Sequence, residues 1–199
     1  MIAITKIFDM WLMPGLLIRW LRNSYGIASI EAAFIFPILL TLLLGVWDAG
    51  TSLMINQKVL NASQVTADFL ARKEKASPSD RDEAIKAAEL AMQPYSTDID
   101  YFIATIQFTD LGGSCPSGKD CPEIMDKTRD IEQKRISQSD VQDEIDATKG
   151  LGANGEGLIM VVIQYEYDPL FTDVFTGPVT FQEVAYARGR ETSYVEFTS

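Results

Sequence analysis

Histidine is absent from the 199 residues of the chain. This absence removes the commonest general base and the commonest metal ligand, so Ser-His-Asp and Cys-His catalysis are both excluded. The sequence also lacks a glycine-rich phosphate loop after a strand and any cluster with metal-ligand spacing. We therefore expect no cofactor and no metal, and we expect that the protein is not an enzyme.

Basic residues are scarce, with 17 Lys and Arg against 28 Asp and Glu. The imbalance is confined to residues 48–199, which carry 14 basic and 26 acidic side chains, whereas residues 1–26 carry three basic side chains and one acidic one. A strongly acidic domain repels phosphate backbones. Nucleic acid is therefore not an expected partner.

One long apolar run stands out at residues 27–47, where Glu31 is the only charged residue. As a helix with a rise of ~1.5 Å per residue it would be roughly 32 Å long, enough to cross a ~30 Å hydrocarbon core. The run has no polar face, which disfavours a buried core helix. It is also longer than the apolar part of a secretory signal, and no small-x-small cleavage site follows. The run is therefore predicted to be a transmembrane helix.

The charges on either side of the run predict its orientation. Arg19 and Arg22 precede it and Asp48 follows it, so the N-terminus is expected in the cytoplasm and residues 48–199 outside it. Residues 1–26 are interrupted by Pro14-Gly15, so a second span is not expected. This leader either lies along the cytoplasmic interface or has no role of its own.

Glu31 needs an explanation, because an acidic group costs ~2.5–3.5 kcal/mol at the centre of a membrane helix and less near an interface. It can reach the headgroups, since it lies about one turn from the cytoplasmic end. Alternatively, cleavage after Gly26 would create an amine on Ile27, and a neighbouring subunit's amine could pair with the Glu31 carboxylate. Pro37 is expected to kink the helix mildly, either as a tolerated irregularity or as a flexible point.

The stretch from residue 26 to residue 50 resembles the N-terminal segment of the TadE/TadG-like pseudopilins of tight-adherence (Flp-type IVb) pili. Three of the matching positions, Gly45, Asp48 and Gly50, form the pattern G-x-x-D-x-G at the exit from the membrane. A second similarity covers residues 155–171, which end in a Y-x-Y-x-P pattern, and residues 184–190. The matching positions of the first stretch are Gly26, Glu31, Pro37, Gly45, Asp48 and Gly50.

This resemblance implies a minor pilin or an assembly component in the bacterial inner membrane, with a periplasmic C-terminal domain. Gly26 would be the recognition glycine of prepilin peptidase, with cleavage before Ile27, and Glu31 would be the glutamate of that motif. The implied partners are the lipid bilayer, other pilins, pilus-assembly membrane proteins and the peptidase. The alternative is an uncleaved single-pass anchor that presents a periplasmic binding module to a secretion complex.

Beyond the membrane, residues 48–92 are predicted to form a helical stem and a second helix. The stem carries an apolar stripe that includes Leu53, Val59, Val65 and Leu70, which could seat the domain or contact neighbouring subunits. The second helix is expected to begin around Ser77-Pro78-Ser79-Asp80, with Ser79 and Asp82 as a capping box, and to end near Met92. Its alanines suit close packing.

Residues 93–199 are predicted to form an antiparallel sheet packed on the helices, an α+β layout. Strands are expected at residues 99–109, 157–167 and 179–187, with a last piece near 194–197 completing the sheet. Residues 110–156 are predicted to be an irregular insertion, partly helical at 123–136 and 139–150, that is either a solvated face or a partner-binding loop. A turn is expected at Asn154-Gly155.

Cys115 and Cys121 are the only cysteines. On the side of the membrane assigned to the domain, an oxidising compartment, a structural disulfide closing this small loop is expected. The spacing is not that of a C-x-x-C redox centre, and two cysteines without histidine leave too few ligands for a metal.

Overall fold

The computed structural model describes residues 25–95, 97–109, 121–124, 131–171 and 177–198, and it places the side chains of all of these except 25–28, 121–124 and 131–132. The chain divides into two compact units, residues 1–47 and 48–199. The first helix, α1, runs from Tyr25 to Ala71 and contains Pro37. The predicted transmembrane helix and the predicted stem are therefore parts of one continuous helix.

A short strand, β1 (Lys75–Ala76), leads into the second helix, α2 (Pro78–Met92). The Ser77 hydroxyl accepts a hydrogen bond from the Asp80 backbone N–H at 3.3 Å, and the Ser77 N–H donates to the Asp80 carboxylate at 3.0 Å. The predicted capping box of Ser79 and Asp82 is therefore wrong. Because Pro78 occupies the first helical position, the cap falls on the residue before it.

This cap predicts a pH-dependent contribution to stability. The Lys73 ammonium lies 2.7 Å from the Asp80 carboxylate, and it acts with the Ser77 hydrogen bonds to lower the pKa of Asp80 to about 2. A lowered pKa stabilises the fold above the unfolded value of about 3.9, and that contribution is lost as the pH falls towards about 2. We expect Asp80→Asn to cost roughly 1 kcal/mol at neutral pH, as loss of a helix cap does, and progressively less in acid.

Urea unfolding of the full chain in detergent, followed by circular dichroism across this pH range, measures the effect. Asp82→Asn, at an exposed position of the same helix, is the control and is expected to change little. A cost of Asp80→Asn that stayed constant from neutral pH down to about pH 3 would mean that the ionised carboxylate does not stabilise the cap.

The main sheet is built from three long antiparallel strands, as predicted. Strand β2 (Asp100–Thr109) pairs with β5 (Gly157–Tyr167), and β5 pairs with β6 (Val179–Ala187). In register, Asp100 lies opposite Gln164, and Tyr167 lies opposite Val179. The turn predicted at Asn154-Gly155 precedes β5, and Gly155 has a φ of +86°, which favours glycine.

The insertion holds two strands that the sequence did not predict. Strands β3 (Cys121–Ile124) and β4 (Ile131–Lys134) both pair antiparallel with β2. The expectation of helix is therefore wrong at 123–124 and 131–134, while residues 125–130 lie outside the described residues. The central part of β2 is buried, and its backbone groups need a partner on the edge away from β5. The second expected helical piece is confirmed as a 3₁₀ turn, Gln138–Val141, followed by helix α3 (Gln142–Ala147).

The C-terminal segment does not complete the main sheet, contrary to the prediction. Strand β7 (Glu196–Phe197) pairs in parallel with β1, so that Ala76 lies opposite Phe197. The reason is burial: the Phe197 side chain is 2% exposed and fills the space beside α2. The C-terminal segment also binds the end of α1, where the Arg190 N–H donates to the Ala71 carbonyl at 2.9 Å.

Apolar side chains cover both faces of the sheet. One cluster joins the stem part of α1 and helix α2 to β2 and β5, and it uses the small side chains of Ala84 and Ala88. The other cluster lies between the opposite face and the segment that contains α3. Val59 and Leu70 are buried as expected, whereas Leu53 and Val65 are exposed. The stem therefore seats the domain, but by a face that differs in part from the predicted stripe.

Candidate membrane anchor and helix exit

The first part of α1 presents apolar side chains on every side. Among the residues described, α1 is the one helix long and apolar enough to cross a membrane. Its large side chains are exposed in the described part of the chain, as expected of a surface that meets lipid. The exposed ones are Ile30, Phe34, Ile35, Phe36, Ile38, Leu39, Leu40, Leu42, Leu43, Val46 and Trp47.

The proposed processing motif lies in the first turns of this helix. Gly26 and Ile27 follow Tyr25 directly, and Glu31 is one turn further along and exposed. Positions 27 and 31 are four apart and so lie on the same side of the helix. Pro37 lies inside the helix without ending it, although its missing N–H leaves one backbone carbonyl without its usual partner. The leader up to residue 24 lies outside the described residues.

The surface of α1 changes character at Asp48, which is only 2% exposed. One oxygen of its carboxylate accepts a hydrogen bond from the Phe171 backbone N–H at 3.0 Å. The Ser52 hydroxyl donates to the Asp48 carbonyl at 2.9 Å. The structure therefore brings together the two stretches that resemble the pseudopilins, the helix exit and the segment after β5, which are far apart in sequence.

Tyr167, at the end of β5, belongs to the same group of residues. Partial burial raises the pKa of its phenol, the negative charge of Asp48 raises it further, and a hydrogen bond with the Thr51 side chain acts in the opposite direction. The phenol is therefore protonated at neutral pH and available as a donor. We call Asp48, Thr51, Tyr167 and the Phe171 backbone the exit cluster.

Gly45 and Gly50, the glycines of the exit pattern, are not required by packing against the described residues. A Cβ atom added at either position would meet nothing within 4 Å. Sequence reasoning found Asp48 but missed Thr51, although the pair shows helical spacing, i and i+3, and both side chains are polar. It could not have found the Phe171 partner, because a backbone N–H leaves no signal in the sequence.

The predicted disulfide stays a prediction. Cys121 begins β3 and lies opposite Thr109, whereas Cys115 lies outside the described residues. Among the residues searched, no group of three or more metal-ligating side chains is found.

A long helix that is apolar over its first part and domain-bound over its second part is typical of single-pass membrane proteins with one folded domain. The family model described as TadE-like protein matches residues 26–68. The match begins at Gly26 and includes every position of the N-terminal resemblance, so it agrees with the TadE/TadG-like family of the tight-adherence pilus system. Together with the apolar helix, it supports a single-pass inner-membrane component of that system. No curated protein and no solved structure gives a significant match.

Proposed function

We propose that the protein is a minor pilin, or pseudopilin, of a tight-adherence pilus, and that it acts by packing of its transmembrane helix and by contacts of its periplasmic domain. The observation that carries the proposal is the TadE-like match over residues 26–68. That match coincides with the helix that passes from an exposed apolar surface into the folded domain. The N-terminus is cytoplasmic, the domain is periplasmic, and the protein performs no catalysis.

In this proposal Glu31 sets the register between neighbouring subunits. Removal of the leader before Ile27 leaves a positively charged amine in the first turn of the helix. A carboxylate and an amine that meet within an apolar layer stabilise each other, whereas either one left alone there is costly. Two helices would therefore slide past each other until the Glu31 carboxylate of one meets the amine of the other. Prepilin peptidase and other pilins are the partners that this mechanism needs.

The alternative is an uncleaved anchor that presents the acidic domain to a secretion complex. The exit cluster is compatible with both functions, because it fixes the domain to the stem whether or not the leader is removed. The two functions differ in the state of the Gly26–Ile27 bond.

N-terminal sequencing and intact-mass measurement of the protein purified from native membranes test this difference. We expect a mature start at Ile27. Gly26→Val, which replaces the recognition glycine with a branched side chain, should leave the start at Met1. Gly45→Val is the matched control, because a Cβ atom added at position 45 meets nothing within 4 Å. This variant should be processed normally. A start at Met1 in the wild type would favour the uncleaved anchor.

The variant Glu31→Ala separates processing from assembly in the same experiment. The proposal expects cleavage to continue or to weaken modestly, while pilus formation fails because the amine loses its partner. For an uncleaved anchor, function should persist, and anchoring should improve because an acidic group has left the apolar run. Normal pili on cells that carry Glu31→Ala would rule out the pairing role.

A further inference from the structure

The short segment after β5, residues 168–171, exposes two large apolar side chains. Leu170 is 77% exposed and Phe171 is 44% exposed, although both are large and apolar. They form a pair of adjacent apolar side chains on a domain that carries a large excess of acidic residues. We call residues 168–171 the exit loop.

The exit loop is held in place on both sides of Leu170. Pro169, which ends the Y-x-Y-x-P pattern, is buried. On the other side, the Phe171 N–H donates to the carboxylate of Asp48, which is itself buried. Leu170 is therefore exposed between two residues that are both held against the domain.

The hydrogen bond to Asp48 also determines where the exit loop lies in relation to a bilayer. Asp48 is the first residue after the apolar run, so it lies at the level where hydrocarbon gives way to headgroups. A backbone group 3.0 Å from its carboxylate lies at the same level. Aromatic and aliphatic side chains at this level enter the boundary between headgroups and acyl chains by ~5–10 Å.

We propose that the exit loop is a second membrane contact, in which Leu170 and Phe171 insert into the outer leaflet. The occupant of this surface is lipid, because the loop is fixed to the residue that directly follows the membrane span. The contact would restrict the tilt of the domain on the membrane before assembly. It would have to be released if the helix left the bilayer for a fibre. The proposal rests on the transmembrane assignment of residues 27–47.

Depth-dependent fluorescence quenching tests the proposal with the full chain. A genetically encoded fluorescent amino acid is placed at position 170, and the protein is reconstituted into phosphatidylethanolamine–phosphatidylglycerol vesicles with or without brominated acyl chains. The probe disturbs no packing there, since the leucine is exposed. Two matched reference positions are the exposed leucines Leu42, inside the apolar run, and Leu151, elsewhere on the domain.

We expect the brominated lipid to quench the probe at 170 several-fold more than at 151, and to quench it strongly at 42. Strong quenching at 42 with quenching at 170 no greater than at 151 would overturn the exit-loop proposal and leave the membrane span intact. Absence of quenching at 42 would contradict the assignment of residues 27–47 as a membrane span, and the exit-loop proposal would fail with it. The two failures are therefore distinguishable.

A second variant tests the role of the hydrogen bond. In Asp48→Ala the exit loop loses the acceptor for the Phe171 N–H, so quenching at 170 should fall while quenching at 42 stays constant. In Asp48→Asn, whose amide oxygen can still accept, quenching at 170 should be largely kept. Circular dichroism confirms that each variant is folded. Undiminished quenching at 170 in folded Asp48→Ala would show that Asp48 does not position the loop.

Discussion

Replacing Phe197 with alanine is expected to lower the free energy of unfolding of the domain by about 3–5 kcal/mol. The ring is 2% exposed and belongs to the cluster that joins the helices to the sheet. The Arg81 guanidinium lies over the ring, 5.3 Å from its centroid, so the substitution removes a cation–π contact as well as apolar burial. Urea unfolding of the full chain in detergent, followed by circular dichroism, measures the loss.

The size of this effect follows from what Phe197 holds in place. Strand β7 is two residues long, and its pairing with β1 alone would be marginal. The ring fixes β7, and β7 in turn closes the junction between α1 and α2, where the Thr198 N–H donates to the Ala76 carbonyl at 2.9 Å. Loss of the ring should therefore also release the last residues of the chain.

The variant Phe197→Leu is the matched control. It keeps most of the apolar volume and loses the aromatic face, so we expect a cost below about 1.5 kcal/mol. Equal costs for alanine and leucine would mean that the stacking with Arg81, and not burial, dominates. A cost below about 1 kcal/mol for alanine would mean that the C-terminal segment contributes little to the fold.

The elements that could be predicted from the sequence are those whose signals are local. Strands β5 and β6 were predicted with their observed bounds, because each is a run of β-branched and aromatic residues between turn signals. Helix α2 was found because Pro78 marks its first position and Pro94 follows its end. The apolar part of α1 was predicted from its length and its scarcity of charged residues alone.

The elements that were missed depend on partners far away in the chain. Strands β3 and β4 are four residues each, too short for a periodic pattern, and they form because β2 has a free edge. Strand β7 is parallel to β1, a pairing fixed by the burial of one ring. The exit cluster is a similar case: Asp48 was recognised as part of a motif, but its partner lies 123 residues away and is a backbone group.

The second variant with a large expected effect changes the membrane span, and the quantity affected is membrane integration. The double variant Leu39→Asp with Leu42→Asp should lose stable membrane integration, because two aspartates near the helix centre cost roughly 5–7 kcal/mol on insertion scales. Residues 27–47 contain twelve Leu, Ile, Phe and Val residues. At about 0.3–0.6 kcal/mol each, they favour insertion by roughly 4–7 kcal/mol, and the double variant removes two of them. The balance therefore shifts from inserted to not inserted.

Alkaline extraction and flotation of membranes from cells that express each variant measure the integrated fraction. The matched control is Leu53→Asp with Met54→Asp, which adds the same charges at two exposed positions of the same helix, beyond Asp48. If the span ends before Asp48, the control stays integrated while the first variant is extracted, since aspartates in water cost nothing on the insertion scale. Extraction of both would extend the lipid-facing surface past the exit cluster. Integration of both variants would contradict the assignment of residues 27–47 as the membrane span. The proposed pilin assembly would then lack the helix on which it depends.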